Sequence, residues 1–271
     1  MDDLGDRMKQ YESHETDRKF MNGLTLYARI DGRGFSKFTK HMQRPFDTCM
    51  MHAMVDTTKH LVDKTHACVA YHQSDEISIV WRAQAREQPW FDGKITKMTS
   101  VLAGLATSAF VKALFDHWPQ DQALELMCKL PHFDARVIAL PNETEAANML
   151  LWRNLDATKN AISMAAHHYY SHAELQHKSG SEKQEMLFEK GINFNDYPSA
   201  FKRGTFVKKR LVEKAFDPQT WAAIPLAHRP PLDQVLMRSE CHAYDLPPLS
   251  KVTNRVEVLF HDAEPQIKDQ T

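Results

Sequence analysis

Short apolar runs alternate with longer stretches of helical periodicity along roughly the first 170 residues. The short runs are rich in β-branched and aromatic residues and predict strands, whereas the longer stretches place apolar side chains three and four positions apart and predict helices. We predict strands at residues 24–30, 67–71, 77–81 and 133–140, and helices at residues 2–20, 47–63, 94–117 and 143–171, the last holding one helix or two. After the charged first helix, the order β-α-β-β-α-β is typical of a split βαβ sheet.

This order predicts an α+β fold, a ferredoxin-like palm (βαββαβ) with an antiparallel sheet and helices on one face. Such a fold alone decides no function. Beyond residue 172 the composition changes, because polar stretches, a basic strand candidate at residues 201–212 and many prolines follow. We therefore predict a palm-type domain at residues 1–171 and a C-terminal appendage at residues 172–271 that packs on the palm.

Acidic turns end the first predicted strand and join the next two. They are residues 31–36 (DGRGFS) and residues 73–76 (QSDE). If the first two strands lie side by side, the carboxylates of Asp31 and Asp75 meet at one edge of the sheet. Two close carboxylates repel unless a proton or a cation lies between them, and Mg²⁺ takes oxygen ligands that it shares with substrate phosphates. The pair therefore predicts metal-assisted phosphoryl chemistry, with Glu76 a weaker ligand because it alternates to the other face.

Each turn also has an ordinary structural interpretation. Asp-Gly sequences are common in tight turns, and an acidic hairpin loop is commonly solvated. The chemical interpretation gains weight because Gly32 and Gly34 let the backbone approach a ligand closely, and successive N–H groups there could bind an anion. Arg33 could contact phosphate or point to solvent, and Ser74 offers a hydroxyl to a phosphate or to a metal shell.

Composition narrows the range of partners. The formal net charge of −1 gives no overall electrostatic attraction to nucleic acid, so an RNA partner needs a local basic patch. The four cysteines form no C-x-x-C pair, which argues against disulfides and a structural zinc site. No apolar run approaches the roughly 20 residues of a membrane span, and we expect a cytoplasmic protein without a membrane partner.

One cluster of cations could supply that basic patch. It contains five residues, namely Lys202, Arg203, Lys208, Lys209 and Arg210. Phosphate contact is the function that an RNA-binding protein of neutral net charge needs from such a cluster. A solvated strand edge protected by lysines is the alternative. We predict that this part of the appendage contacts RNA.

Several motifs in order resemble the tRNA-histidine guanylyltransferase family over roughly residues 20–210. They are ARIDGRGFSKF, RPFD, YHQSDEISIVW, FDARVIALP, LLWRNLDATKN, MLFEKGINFN and FKRGT. The resemblance implies an enzyme that works as a palm polymerase in reverse. Members add nucleotides, typically guanylate, to the 5′ end of tRNA and use ATP or GTP to activate a 5′-monophosphate. It also implies a homotetramer and a palm domain that is catalytic.

The resemblance further implies roles for individual residues. Two Mg²⁺ ions would be held by the carboxylates of Asp31 and Asp75, the catalytic residues, and by the backbone carbonyl of Gly32. Lys183 and residues 193–195 fall where the family contacts triphosphate or RNA. The implied nucleotide-binding residues are Asp31, Gly32, Arg33, Gly34, Phe35, Ser36, Arg44, Asp47, Ser74 and Asp75.

One segment departs from the family pattern. Members devoted to tRNA-histidine carry His-Ile-Asn-Asn after the Trp-Arg pair, whereas residues 158–161 here are Thr-Lys-Asn-Ala. This resembles the guanylyltransferase-like branch, a 3′-5′ polymerase associated with template-directed repair of truncated tRNA 5′ ends. A palm-type nucleotidyl cyclase and a non-catalytic RNA-binding protein of the same fold are the alternatives.

Overall fold

The computed structural model describes residues 3–83, 89–231 and 235–268. The described residues form a β-sheet with helices packed on it. All strands lie in one antiparallel sheet with the order β4-β1-β3-β2-β5-β6. The strands are β1 (Thr25–Gly32), β2 (Val69–Gln73), β3 (Glu76–Trp81), β4 (Phe133–Leu140), β5 (Thr205–Lys214) and β6 (Leu236–Tyr244). The α+β class and the predicted βαββαβ order are confirmed.

Helices occupy most of the chain between the strands. They are α1 (Asp3–Thr16), α2 (Phe35–Phe38), α3 (Thr48–Thr65), α4 (Ile95–His117), α5 (Gln120–Cys128), α6 (Glu143–Tyr169), α7 (His172–Leu175), α8 (Gly180–Glu189), α9 (Ser199–Arg203), α10 (Pro218–Ala222) and α11 (Arg255–Phe260). Short 3-10 helices lie at Trp90–Gly93, Phe194–Asp196, Leu226–His228 and Leu249–Lys251. The predicted last helix of the palm is therefore a single helix, α6.

The first two strands are not neighbours, and the expectation that they lie side by side is wrong. The crossover from β1 through α3 places β2 one strand away from β1. Strand β3 follows β2 after a short loop and occupies the position between them. This is the topology of a split βαβ unit. In the resulting register Asp31 lies directly opposite Glu76 of β3, not opposite a residue of β2.

Helices cover both faces of the sheet, whereas the sequence predicted helices on one face. On the first face α3 and α4 pack against alternate residues of the strands, with Met54, Leu102 and Phe110 fully buried. On the opposite face α6 and α11 bury Leu150 and Leu259 against the sheet. Long helix α6 was expected after the sheet, and its alanine-rich stripe is the feature that lets it lie close to the strands.

The C-terminal part joins the same sheet. Strand β5 pairs with β2, and β6 pairs with β5, so this part extends the palm by two strands. The strand predicted at residues 201–212 therefore exists, although it begins at Thr205 because α9 precedes it. The boundary between residues 171 and 172 stays a prediction.

Among the described residues, helix α4 is long and apolar enough to cross a membrane by length and composition alone. The expectation that no apolar run reaches this length is therefore wrong. Six of its side chains, from Met98 to Leu114, are buried against α3 and the sheet. The core helix of a folded domain passes the same length and composition test.

Candidate active site

The end of β1 and the loop between β2 and β3 bring Asp31 and Asp75 to one edge of the sheet. Asp31 is the next-to-last residue of β1, and Ser74 and Asp75 form the loop. The backbone N–H of Gly32 donates to the Asp75 carbonyl oxygen at 3.1 Å, which fixes the loop against β1. Both aspartates are half-buried. The predicted meeting of the two carboxylates therefore arises through β3.

Both carboxylates hold protons more strongly than an exposed aspartate. Burial, with a contribution from the Asp31 charge, raises the pKa of Asp75 to about 6. Burial also raises the pKa of Asp31, and the nearby Asp134 carboxylate adds to the effect. Within the described parts of the chain, no lysine, arginine or histidine forms an ion pair with Asp31 or Asp75. A cation at this edge would relieve the repulsion between them.

Glu76 has a different environment although it follows Asp75 directly. Its two oxygens accept hydrogen bonds from Arg153 of α6, at 2.5 Å from Nε and 2.8 Å from Nη2. Burial raises the pKa of Glu76, and Arg153 opposes that effect. Arg153 also pairs with Asp156 at 3.1 Å. This carboxylate is therefore committed to joining β3 to α6, which agrees with its weaker rank as a metal ligand.

The residues present fit a magnesium site completed by a substrate. Since the N–H of Gly32 points toward the β2–β3 loop, its carbonyl points toward the same loop, on the side of Asp75. No group of three or more His, Cys, Asp and Glu side chains is arranged to hold a metal in the described residues. Mg²⁺ commonly takes one or two protein carboxylates and completes its shell with waters and phosphate oxygens. Asp31, Asp75 and the Gly32 carbonyl supply that kind of partial shell.

The glycine turn after Asp31 is tightly built. A Cβ at position 32 would lie 2.5 Å from the ring of Phe35, and Gly34 has φ +72°. The Phe35 ring is buried among Phe38, Phe110 and Phe133, so only its backbone could contact a nucleotide. The prediction of a nucleotide contact therefore does not extend to this side chain.

The predicted row of free N–H groups in this turn is shorter than the sequence suggested. The N–H of Gly32 donates to Asp75, and the N–H of Arg33 donates to the His132 carbonyl at 3.0 Å. The N–H groups of Lys37 and Phe38 donate to the Gly34 carbonyl oxygen, so the groups left for an anion are the N–H groups of residues 34–36 at the start of α2. The side chains of Arg33 and Ser36 are exposed beside them.

A pocket opens beside Ser74. The predicted nucleotide residues Arg44, Asp47 and Ser74 all line it, so the structure brings these three together. Its remaining walls are mostly apolar or aromatic. The lining residues that the sequence did not single out include Met42, Phe46, Met50, Met51, His72, Gln73, Met164 and Phe201.

Asp47 also has a structural function. It is the N-cap of α3, where one oxygen accepts from the Met50 N–H at 2.8 Å. The other oxygen accepts from the Gln43 N–H at 3.0 Å and fixes the preceding loop. Arg44 donates to the Thr39 carbonyl at 3.1 Å and is otherwise exposed. The two side chains therefore shape the rim of the pocket before any ligand is bound.

Comparison with known proteins identifies the family of this chain. A family model described as tRNAHis guanylyltransferase matches residues 5–141. The chain belongs to this family. The solved structure of a bacterial tRNA(His) guanylyltransferase-like protein in complex with ATP is similar with a TM-score of 0.76 and 32% identity, covering 95% of this chain and 98% of that one. The corresponding complex with GTP has a TM-score of 0.69, 31% identity and coverage of 96% and 100%.

A fungal relative shows the same relationship. The tRNA(His) guanylyltransferase of Schizosaccharomyces pombe is 29% identical over 226 residues, which cover 78% of this chain and 82% of the fungal one. The family adds nucleotides to the 5′ end of tRNA, and this chain is accordingly a nucleotidyltransferase. The alternative of a binding protein without catalysis is therefore set aside.

The cations predicted to contact RNA do not form one patch in this family member. The side chain of Lys208 is buried and its Nζ donates to Asp262 and to the Val258 carbonyl, both at 2.9 Å. The prediction of Lys208 as an RNA contact is therefore wrong. Its neighbour Lys209 points to the other face of β5 and pairs with Asp63 at 3.1 Å.

The other predicted cations differ in how far they are available. Arg210 is exposed and lies over the Tyr244 ring at 5.6 Å. Lys202 and Arg203 are half-buried in α9, and Lys202 donates to the Asn195 carbonyl. Lys183 donates to Ser163 at 3.0 Å and joins α8 to α6. Arg210 is thus the predicted RNA residue with the most accessible charge.

Proposed function

We propose that this nucleotidyltransferase adds nucleotides to the 5′ end of tRNA in a reaction that depends on Mg²⁺. ATP or GTP first activates a 5′-monophosphate, and a nucleoside triphosphate then supplies the added residue. The single observation that carries the proposal is the pair of carboxylates Asp31 and Asp75, which have raised pKa values and form no ion pair among the described residues, beside a pocket that Ser74 also lines. Glu76, by contrast, is a carboxylate with a structural function, because Arg153 donates hydrogen bonds to it.

The mechanism assigns separate tasks to the residues of the site. Asp31, Asp75 and the Gly32 carbonyl would hold the metal ions, which when bound stabilise the charge on transferring phosphates and activate the attacking hydroxyl. The backbone of residues 34–36 and the Ser74 hydroxyl orient the triphosphate. Arg44 and Asp47 shape the pocket rim that positions the nucleotide. Catalysis is therefore mainly positioning and charge stabilisation.

We further propose that the substrate is a truncated or otherwise incomplete tRNA 5′ end. The support is the departure at residues 158–161 and the nearly complete coverage of the bacterial guanylyltransferase-like protein. A homotetramer and a cytoplasmic location also stay predictions that rest on the family resemblance. Light scattering of the purified protein measures the first.

A labelled-tRNA assay tests the proposed function. Full-length and 5′-truncated tRNAs, each with a 5′-monophosphate or a 5′-triphosphate, are incubated with Mg²⁺ and each of the four nucleotides. We expect extension of the truncated tRNAs, with monophosphate ends also requiring ATP or GTP. A reaction without RNA serves as the control, because a cyclic nucleotide there would identify a cyclase. Absence of any extension of a 5′-triphosphorylated truncated tRNA would contradict the proposal.

A further inference from the structure

The side chain of His72 is buried in the sheet. It lies on β2, where its relative exposure is 1%, and neither ring nitrogen has a hydrogen-bond partner among the described residues. Burial lowers the pKa of His72 to about 4, so the ring is neutral at physiological pH. Buried polar groups without a partner are rare, because they lose their bonds to water without replacement. A buried histidine without these bonds is therefore a candidate to hydrogen-bond a ligand.

His72 is one of the residues that line the pocket beside Ser74. Met50 and Met51 of α3 line the same pocket, and Phe46 and Phe201 stack on each other at 4.9 Å with an angle of 7° between their planes. A flat, largely apolar molecule with a polar edge suits such walls, and this describes a nucleobase. A neutral ring and the Asp47 carboxylate at the rim disfavour a phosphate in the same place.

We propose that His72 hydrogen-bonds the nucleobase of the bound nucleotide and is a specificity-determining residue of the site. The inference rests on the proposed nucleotide site beside Asp75. A neutral imidazole carries one N–H donor and one acceptor nitrogen, so it meets a donor or an acceptor on a base edge without charge. The triphosphate then extends past Ser74, two residues along the chain, toward Asp31 and Asp75. The sequence held one signal, since the alternation in β2 puts His72 on the same buried face as Ala70.

Binding by isolated nucleotides tests the inference without tRNA. The affinities for GTP, ATP and inorganic tripolyphosphate are measured with Mg²⁺ for the parent protein, His72→Leu and His72→Gln. We expect His72→Leu to weaken GTP or ATP binding about 10-fold, the effect of one lost neutral hydrogen bond, and to leave tripolyphosphate binding unchanged. His72→Gln keeps a donor and an acceptor and should recover part of the affinity.

Thermal unfolding without nucleotide separates this role from a structural one. Leucine removes the unpartnered nitrogens, so His72→Leu should unfold at a higher temperature than the parent protein. A lower unfolding temperature for both variants would show that His72 supports the fold, and would overturn the inference. Equal weakening of nucleotides and tripolyphosphate, or none at all, would also overturn it. If the parent protein binds neither GTP nor ATP, the proposed function itself fails.

Discussion

Two neighbouring regions of the palm hold acidic side chains and use them in opposite ways. At the strand-end region, formed by the end of β1 and the β2–β3 loop, Asp31 and Asp75 lie close together, and neither forms an ion pair with another described residue. At the interface between β3 and α6, one residue further along, Glu76 is held by both ends of the Arg153 guanidinium. In the strand-end region the repulsion between Asp31 and Asp75 remains, and a bound cation can relieve it. At the interface between β3 and α6, Arg153 already balances the charge of Glu76.

The difference shows that the partner of a carboxylate, and not its place in a motif, distinguishes a carboxylate available for catalysis from one that stabilises the fold. Burial raises the pKa in both regions, so a raised pKa alone does not distinguish them. What distinguishes them is that α6 supplies an arginine to one region only. A bidentate arginine–carboxylate pair fixes geometry, and this one joins a strand to the helix on the second face of the sheet.

We expect the largest effect on activity from removing a carboxylate charge in the strand-end region. Asp75→Asn removes a charge that the metal ions need, and the loss of several kcal/mol of transition-state stabilisation should lower nucleotide addition more than about 100-fold. Single-turnover extension of 5′-triphosphorylated tRNA measures it. Asp134→Asn is the matched control, because Asp134 lies opposite Asp31 but is exposed and pairs with Arg136 at 3.0 Å. Comparable loss in both variants would contradict the separate function of the pair.

Breaking the interface should affect stability first. Arg153→Ala leaves the Glu76 carboxylate half-buried without its partner, which should lower the free energy of unfolding by about 3 kcal/mol. The double variant Glu76→Gln with Arg153→Ala should be less destabilised than Arg153→Ala alone, because the orphaned charge is gone. Urea unfolding of Arg153→Ala, Glu76→Gln, the double variant and the parent protein gives the coupling. Additive losses would show that the ion pair does not join β3 to α6.

The sequence predicted the palm strands and the meeting of Asp31 and Asp75, because these depend on local pattern and short connections. It could not show that Arg153, in a helix 77 residues further along, takes Glu76 out of the site. It also placed five cations in one group, although alternation along β5 sends Lys208 and Lys209 to opposite faces. Long-range packing decides such partners, and a single sequence carries little trace of it.

A pH profile can sharpen the comparison. The pKa of Asp75 rises from its ordinary value of 3.8 to about 6 on folding, so the folded protein binds the proton more tightly than the unfolded chain. The free energy of unfolding should therefore fall by about 3 kcal/mol for this group as pH rises from about 4 to 6, and stay level above that. The difference between parent and Asp75→Asn, measured with a chelator present, isolates it. A difference that does not vary with pH would contradict the raised pKa.

The smallest effect extends the comparison from carboxylates to cations. Lys208 is buried against Asp262, whereas Arg210, two residues along the same strand, is exposed and forms no ion pair among the residues that the structure describes. If partnered charges are structural and free ones functional, Arg210→Ala should weaken tRNA binding a few-fold and reduce the salt slope of log K by about 1. Lys208→Met should leave the salt slope unchanged and alter the unfolding temperature instead. The pair is informative because both residues lie on the same face of β5, so that burial and pairing, and not position along the strand, separate their expected effects. Equal salt slopes for Arg210→Ala and the parent protein would remove Arg210 from the RNA surface.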